Sequence, residues 1–185
     1  MDPRIAKTKQ SLQEALFTLV RERGIDDVSV SDIAQRAGVN RTTFYLHYSD
    51  KETLLADALD LIAQRAGAEL GPIDVTSGEP PVVLVEFLSH METYAELYHR
   101  VFTEPGYGVA LARLRAHMIA GIERVAEHSD HGHAPDVPVH FVAAGVAGSI
   151  LGMLGAWLDE DPRANAIDAA RWIWAVVPLP PGARG

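Results

Sequence analysis

The chain has 185 residues, enough to bury a core without staples, and it contains no cysteine, which excludes disulfides, thiolate metal sites and cysteine nucleophiles. Apolar residues make up 48% and charged residues 22%, with mean hydropathy near zero, so a disordered, collagen-like or wholly membrane-embedded chain is excluded as well. The net charge of −9 is split along the chain: residues 1–51 hold eight basic and seven acidic side chains, while the remaining 134 hold eight and 18. A near-neutral N-terminal segment can therefore approach a polyanion that the acidic remainder avoids.

The start, Met1 to Lys7, has no apolar stretch behind its charges, and a cytoplasmic location is the default expectation. Asp2 as N-cap, Pro3 at the first helical position and the stripe Ile5, Leu12, Leu16, Leu19 and Val20 predict a helix from Pro3 to Arg23, ended by Gly24. Ser29 and Asp32 form a capping box that opens a short helix through Ile33, Ala34 and Ala37, and Gly38 stops it. Asn40 caps another, through Tyr48. A second capping box, Ser49 to Glu52, opens a helix with Leu54, Leu55, Ala58, Leu59 and Ile62 on its apolar side.

Beyond that helix, the Gly- and Pro-rich residues 71–81 read as a linker. Leu84, Phe87, Met91, Tyr94, Tyr98 and Val101 step by three and four, predicting one long helix to about Phe102. Leu111, Leu114, Met118, Ile122 and Val125 predict a second, and Ile167, Ala170, Trp174 and Val177 a last one from about Pro162. Between these, residues 141–158 carry no charge. They reach the lower length limit of a membrane span, but acidic residues flank them without Lys or Arg, which favours a buried or pairing helix over insertion. No segment alternates as a strand does, so the fold class is all-α.

Two short helices joined at Ala37-Gly38-Val39-Asn40 match a helix-turn-helix, in which Gly permits the tight turn and the second helix enters the major groove. Arg41, Thr42, Thr43, Tyr45 and His47 crowd that second helix with hydrogen-bonding groups, while Phe44 suits the core. Arg can read guanine edges and Thr a polar edge or a thymine methyl; Lys51 suits a phosphate. Spacing alone is equally compatible with a solvated surface helix.

The run Val30 to Leu54, with Ala37-Gly38-Val39-Asn40-Arg41-Thr42-Thr43-Phe44-Tyr45-Leu46-His47-Tyr48 at its centre and Lys51-Glu52-Thr53-Leu54 at its close, resembles the DNA-binding signature of the TetR family of bacterial transcriptional regulators. Its wording is most similar to the Firmicutes-type subgroup that includes dihydroxyacetone-kinase regulators. The resemblance implies a homodimer with an N-terminal three-helix DNA-binding domain and a C-terminal helical bundle that dimerises and binds a small effector. It puts base contacts at Arg41, Thr42, Thr43, Tyr45 and His47, with phosphates at Lys51 and Ser29 or Ser31. Leu46 stands where many members carry Tyr, Arg or His, so a thymine-methyl contact is expected there. The implied division is 1–50 DNA-binding domain with the helix-turn-helix at about 29–48, 51–70 connecting helix, 71–81 linker, 82–178 effector and dimerisation domain, and 179–185 tail.

In the family the two last helices pack against their symmetry mates, which nominates Ile150, Leu154, Trp157, Leu158, Ile173 and Trp174 for the dimer contact or, alternatively, the protomer core. Met91, Tyr94, Tyr98, Phe102, Met118, Ile122 and Phe141 are candidates for an apolar effector pocket, with ordinary core as the other reading. His128, His131 and His133 beside Asp130 lack a standard zinc spacing and read as a solvated loop. No metal, cofactor or catalytic motif is expected. The function expected is a ligand-responsive DNA-binding regulator, a repressor by family habit, with double-stranded DNA, an unidentified effector and a second copy as partners and no membrane. The alternative is a helical accessory protein acting through protein contacts.

Overall fold

The computed structural model describes residues 3–69, 78–127 and 137–177, and all regular structure among them is helical. Four helices come first: α1 (Pro3–Arg23), α2 (Val30–Arg36), α3 (Arg41–Tyr45) and α4 (Lys51–Glu69). Then follow α5 (Val82–Thr93), α6 (Ala95–Thr103), a 3-10 turn at Pro105–Tyr107, α7 (Gly108–Glu127), α8 (Val139–Leu158) and α9 (Ala166–Val176). Asp2, most of the predicted linker, the histidine loop with Asp130 and the tail after Val177 lie outside the described residues.

The first three helices and the start of α4 close around one apolar cluster. Leu12 and Leu16 of α1, Ile33 of α2, Phe44 of α3 and Leu54 and Leu55 of α4 are fully buried in it. Losing a buried Phe in such a cluster costs about 3–5 kcal/mol, so Phe44 alone is a large share of what holds the five-residue α3 in place. A helix that short has no stability of its own.

Helix α4 belongs to both halves. Its N-terminal turns pack into the cluster just described, and its later turns pack along α7, where the Asp60 Oδ1 and His117 Nε2 atoms lie 2.5 Å apart. Two further contacts tie the halves. Arg100 of α6 donates to both carboxylate oxygens of Asp26, at 3.0 and 2.5 Å, and Phe17 of α1 packs its ring against His90 and Tyr94 with centroids 5.6 and 5.0 Å away.

Two elements differ from the sequence expectation. The single helix predicted to run to Phe102 is broken at Tyr94, whose φ of −120° and ψ of 38° leave the helical region; its N–H is shared between the carbonyls of His90 and Met91. The break turns α6 relative to α5 while Tyr94 stays on Phe17, so the apolar stripe continues across a bend that periodicity cannot detect. At the start of α4 the N-cap is Asp50, not Ser49: Asp50 Oδ1 accepts the Thr53 N–H at 2.6 Å, and Ser49 donates to the other oxygen. The Thr53 hydroxyl first, and then the Thr53 amide and the Ser49 hydroxyl, hold the Asp50 pKa below the ordinary carboxylate value.

Helix α8 is long and apolar enough to cross a membrane by length and composition. In this fold one side of it, including Ala143, Val146, Ala147, Leu154, Trp157 and Leu158, is buried against neighbouring helices, and the other side is open. Trp157 donates its indole N–H to Ala164 O at 2.9 Å, which satisfies its one polar atom inside the core.

His90 sits among the rings of Phe17, Tyr94 and Tyr98, and its Nε2 is buried without a hydrogen-bond partner. Burial pushes its pKa below the usual histidine value, because the imidazolium has nothing there to replace water. The unfolded chain therefore takes up a proton at this residue before the folded one does. His90's contribution to stability is intact above about pH 6.5 and is lost as the pH falls below it. Melting curves between pH 7.5 and 5 are expected to show a steeper fall of Tm for the wild type than for His90→Phe, which keeps the ring packing and removes the titration.

Candidate nucleic-acid interface

The turn between α2 and α3 is built from local rules. Ser29 Oγ accepts the Asp32 N–H at 3.2 Å while the Asp32 carboxylate accepts the Ser29 N–H at 3.0 Å, a complete capping box. The Ser29 hydroxyl and amide, and Arg23 at 2.9 Å, together hold the Asp32 pKa down at about 2. At the other end Gly38 takes φ +71°, and the amides of Gly38 and Val39 reach back to the carbonyls of Gln35 and Ala34. This paired closure needs a left-handed residue, which is why glycine stands there. One residue later Asn40 Oδ1 accepts the Thr43 N–H at 2.7 Å and starts α3.

With Phe44 turned inward, the opposite side of α3 faces solvent. Arg41 and Thr42 are exposed, Tyr45 is 49% exposed, and Leu46, just past the helix, is 76% exposed. Arg41 Nη2 donates to the Tyr45 hydroxyl at 3.2 Å, with the guanidinium 5.7 Å from the ring centre, so the two side chains form one outward unit. No acidic side chain lies on α3, and Ser31 is exposed on the neighbouring α2. Helix α3 ends at Tyr45 rather than Tyr48. Leu46 and His47 thus sit on the turn into α4, and His47 is half-buried.

Three of the predicted contact residues already have work inside the protein. Thr43 donates its hydroxyl to Asn40 Oδ1 at 3.0 Å, and Ser29 donates to Asp32 at 2.6 Å. Lys51 donates to the carbonyls of Ile25 and Val28 at 2.8 and 3.1 Å, pinning the α1–α2 loop to the start of α4. Its ammonium keeps one N–H for any other partner.

Sequence reasoning missed the residue that holds this surface together. Asp57 Oδ2 accepts from the Tyr48 hydroxyl at 2.6 Å, from Gln13 at 3.2 Å and from Lys9 at 3.3 Å, and Lys9 also stands 5.2 Å over the Tyr48 ring. One carboxylate thus joins α1, the segment after α3, and α4. Burial first, and then the Asp57 carboxylate, push the Tyr48 pKa up, so it remains a donor throughout the physiological range. The available signal was Asp57 itself, a lone acid between the buried Leu54, Leu55, Ala56, Ala58 and Leu59.

The C-terminal candidates separate differently from expectation. Of the residues nominated for a dimer contact, Leu154, Trp157, Leu158, Ile173 and Trp174 are buried within the protomer, at 0–9% exposure, and Ile150 is partly buried. Within the protomer the five buried residues are core. The apolar residues left outside are Phe141, 71% exposed, on α8, and Ile167, Trp172 and Val176 on α9. Among the effector candidates Met91 and Tyr98 are fully buried, Tyr94, Phe102, Met118 and Ile122 are partly buried, and Phe141 is exposed. Phe102 borders an open groove at the seam of α7 and α8. His128, His131 and His133 lie outside the described residues.

A capped turn closed by glycine, followed by a short helix anchored on one side and polar on the other, defines a helix-turn-helix of the kind that docks in the major groove. Residues 12–58 match the family profile of bacterial regulatory proteins, tetR family. The regulator AcrR of Shigella flexneri is 31% identical over 101 residues, covering 53% of this chain and 47% of AcrR; EthR of Mycobacterium tuberculosis is 38% identical over 52 residues, covering 28% and 24%. The chain spans less than half the length of these relatives.

Solved structures extend the likeness in fold. A TetR regulator of Streptococcus agalactiae is 24% identical with TM-score 0.60, covering 96% of this chain and 97% of that one. SmeT, the repressor of the Stenotrophomonas maltophilia multidrug efflux pump SmeDEF, is 16% identical with TM-score 0.61, covering 97% and 98%. The dihydroxyacetone kinase operon activator DhaS is 16% identical with TM-score 0.63, covering 92% and 93%. Residues 12–58 are thus similar to the helix-turn-helix domain of that family, and the chain as a whole shares the all-α fold of these solved regulators.

Asp57→Ala would leave the Tyr48 hydroxyl and the Gln13 amide without their acceptor, and the expected loss of stability is about 1–3 kcal/mol in chemical denaturation. Tyr48→Phe, which removes the donor and keeps the ring, is expected to cost less, about 0.5–1.5 kcal/mol.

Proposed function

We propose that this protein is a ligand-responsive, sequence-specific DNA-binding regulator that acts in the cytoplasm as a homodimer on a pseudo-palindromic operator, with repression as its mode. The observation that carries the reading is the outward unit of Arg41, Thr42, Tyr45 and Leu46 on a helix whose inner side is fixed by Phe44. Arg41 suits guanine O6 and N7, Thr42 a polar base edge and Leu46 a thymine methyl. Tyr45, Thr43 and His47 complete the surface. Ser29, Ser31 and the remaining N–H of Lys51 serve phosphates, a role compatible with their internal hydrogen bonds. The wording from Arg41 to Tyr48 supports the Firmicutes-type subgroup, and SmeT supports repression by analogy of fold.

The second copy is assigned to the open faces of α8 and α9. On α8, Phe141, Gly145, Gly148 and Gly152 lie along the exposed side, and on α9 Trp172 and Val176 do. Glycines at this spacing let another helix approach closely, and the exposed aromatics supply area to bury. A two-fold axis there would place two α3 helices on one duplex, about 34–36 Å apart.

Selection of binding sites from random duplexes is expected to return an inverted repeat. Arg41→Ala and Tyr45→Ala are expected to weaken binding to that repeat by about 5- to 150-fold with the helical content unchanged. Recovery of no common sequence, or equal binding by folded variants, would refute the reading and favour an accessory protein. Sedimentation is expected to give dimers for the wild type and protomers for a Phe141→Glu, Trp172→Glu variant.

A further inference from the structure

The α1–α2 loop, residues 24–29, leads directly into the helix-turn-helix, and its last residue, Ser29, is the N-cap of α2. A cation holds this loop from each half of the molecule. From the N-terminal half Lys51 donates to the carbonyls of Ile25 and Val28, and from the C-terminal half Arg100 of α6 donates to both carboxylate oxygens of Asp26. Asp26 and Arg100 are 74 residues apart in the chain, so this contact exists only when the two halves are set against each other.

Arg100 is a cation among carboxylates. It also donates to Glu104, one turn further along the chain, at 3.2 Å. Tyr107, buried in the 3-10 turn that packs on α4, senses the same field: burial first, then the carboxylates of Glu52 and Glu104 and, less strongly, Asp26 push its pKa up, and Arg100 opposes them. Acids from the loop, from α4 and from the end of α6 thus converge on one guanidinium. Without that charge, like charges would face one another across the joint, and an attractive contact would become repulsive.

An isolated exposed ion pair adds little to folding stability, and the Asp26 side chain is 65% exposed. What a bidentate fork supplies is an angle. The Phe17 ring against His90 and Tyr94 resists separation of the halves without fixing a direction, and α4 alone leaves a body free to swivel about one helix. A second, directional grip away from α4 removes that freedom.

We infer that Arg100, through its fork on Asp26, sets the angle of the helix-turn-helix on the C-terminal half and so the half-site spacing that a dimer accepts. Arg100 is a positioning residue and touches no DNA in this role. The inference rests on the proposed dimeric binding of an inverted repeat and adds its geometric control. One base pair more or less between half-sites moves a recognition helix by about 3.4 Å and turns it by about 35°, a mismatch that a fixed angle penalises and a swivelling domain absorbs.

The chain has no cysteine, so Ser31→Cys on α2 and Glu92→Cys on α5 give a defined pair of spin labels, diluted with unlabelled chain so that distances within one protomer are read. The wild type is expected to give one narrow distance distribution, Arg100→Gln and Asp26→Asn broader ones and Arg100→Lys an intermediate one, all with unchanged melting curves. On a selected inverted repeat, the cysteine-free wild type is expected to lose about tenfold in affinity when the spacer gains or loses one base pair. Arg100→Gln and Asp26→Asn are expected to lose only about threefold, and the double variant no less than either single one. Distance distributions as narrow as the wild type's, or spacer discrimination equal to the wild type's, would overturn the inference. Should the wild type bind no inverted repeat while the variants still broaden the distances, the operator reading falls and the spacing role with it, and the clamp between the halves stands.

Discussion

The surface proposed to read DNA depends on a helix too short to exist alone. Five residues form at most a turn and a half, so the direction of Arg41 and Tyr45 is fixed by what grips the segment at either end and from below. Asn40 grips the start, Phe44 the underside, and Tyr48 the far end through its hydrogen bond to Asp57. The last of these sets the orientation, because Asp57 is on α4 and also holds Gln13 and Lys9 of α1. Each hydrogen bond is worth only about a kcal/mol, but all three converge on one oxygen. They therefore fix three elements against one another rather than stabilising each separately.

Since α4 carries that carboxylate, anything that moves α4 moves the reading helix. The same helix carries Asp60 one turn later, in contact with His117 of α7. On the proposed reading, an effector held by the C-terminal helices and a duplex on α3 would act on opposite ends of one continuous set of packed helices. The ligand can shift DNA affinity only by as much as it prefers one setting of α7 against α4 over another. The Arg100 pair with Asp26 and the Phe17 ring against His90 and Tyr94 brace the same joint from the other side.

What was legible in the sequence was local. Caps at Ser29 and Asn40, the stop at Gly38 and the inward Phe44 follow from rules that span four residues, and each stands where those rules place it. Periodicity found the helices but not their partners. The steps from Met91 to Tyr94 to Tyr98 are the same whether the chain runs straight or bends at Tyr94, so the break between α5 and α6 left no mark. Likewise α8 is apolar on every side, which hides which side is core. Leu154 and Trp157 looked as available as Phe141, and only packing against the other helices separates them. The internal hydrogen bonds of Thr43 and Lys51 are also outside local rules: the residue types were read as polar contacts, and their partners depend on where the α1–α2 loop and the Asn40 cap come to rest.

The charge distribution gains a physical meaning once the helices are placed. Acidic side chains dominate beyond residue 51, and this keeps the C-terminal half off the phosphates, so a duplex can settle only against the near-neutral end. That half nevertheless contains α7, acid-free through Ile122, with Arg113 and Arg115 on it. A cation amid such an excess of acid is readily neutralised by a neighbouring carboxylate, as Arg100 is by Asp26 and Glu104. Arg115 lies beside apolar side chains at the open seam of α7 and α8. On the proposed reading the surface at α3 would meet an extended polyanion whose binding is screened by salt.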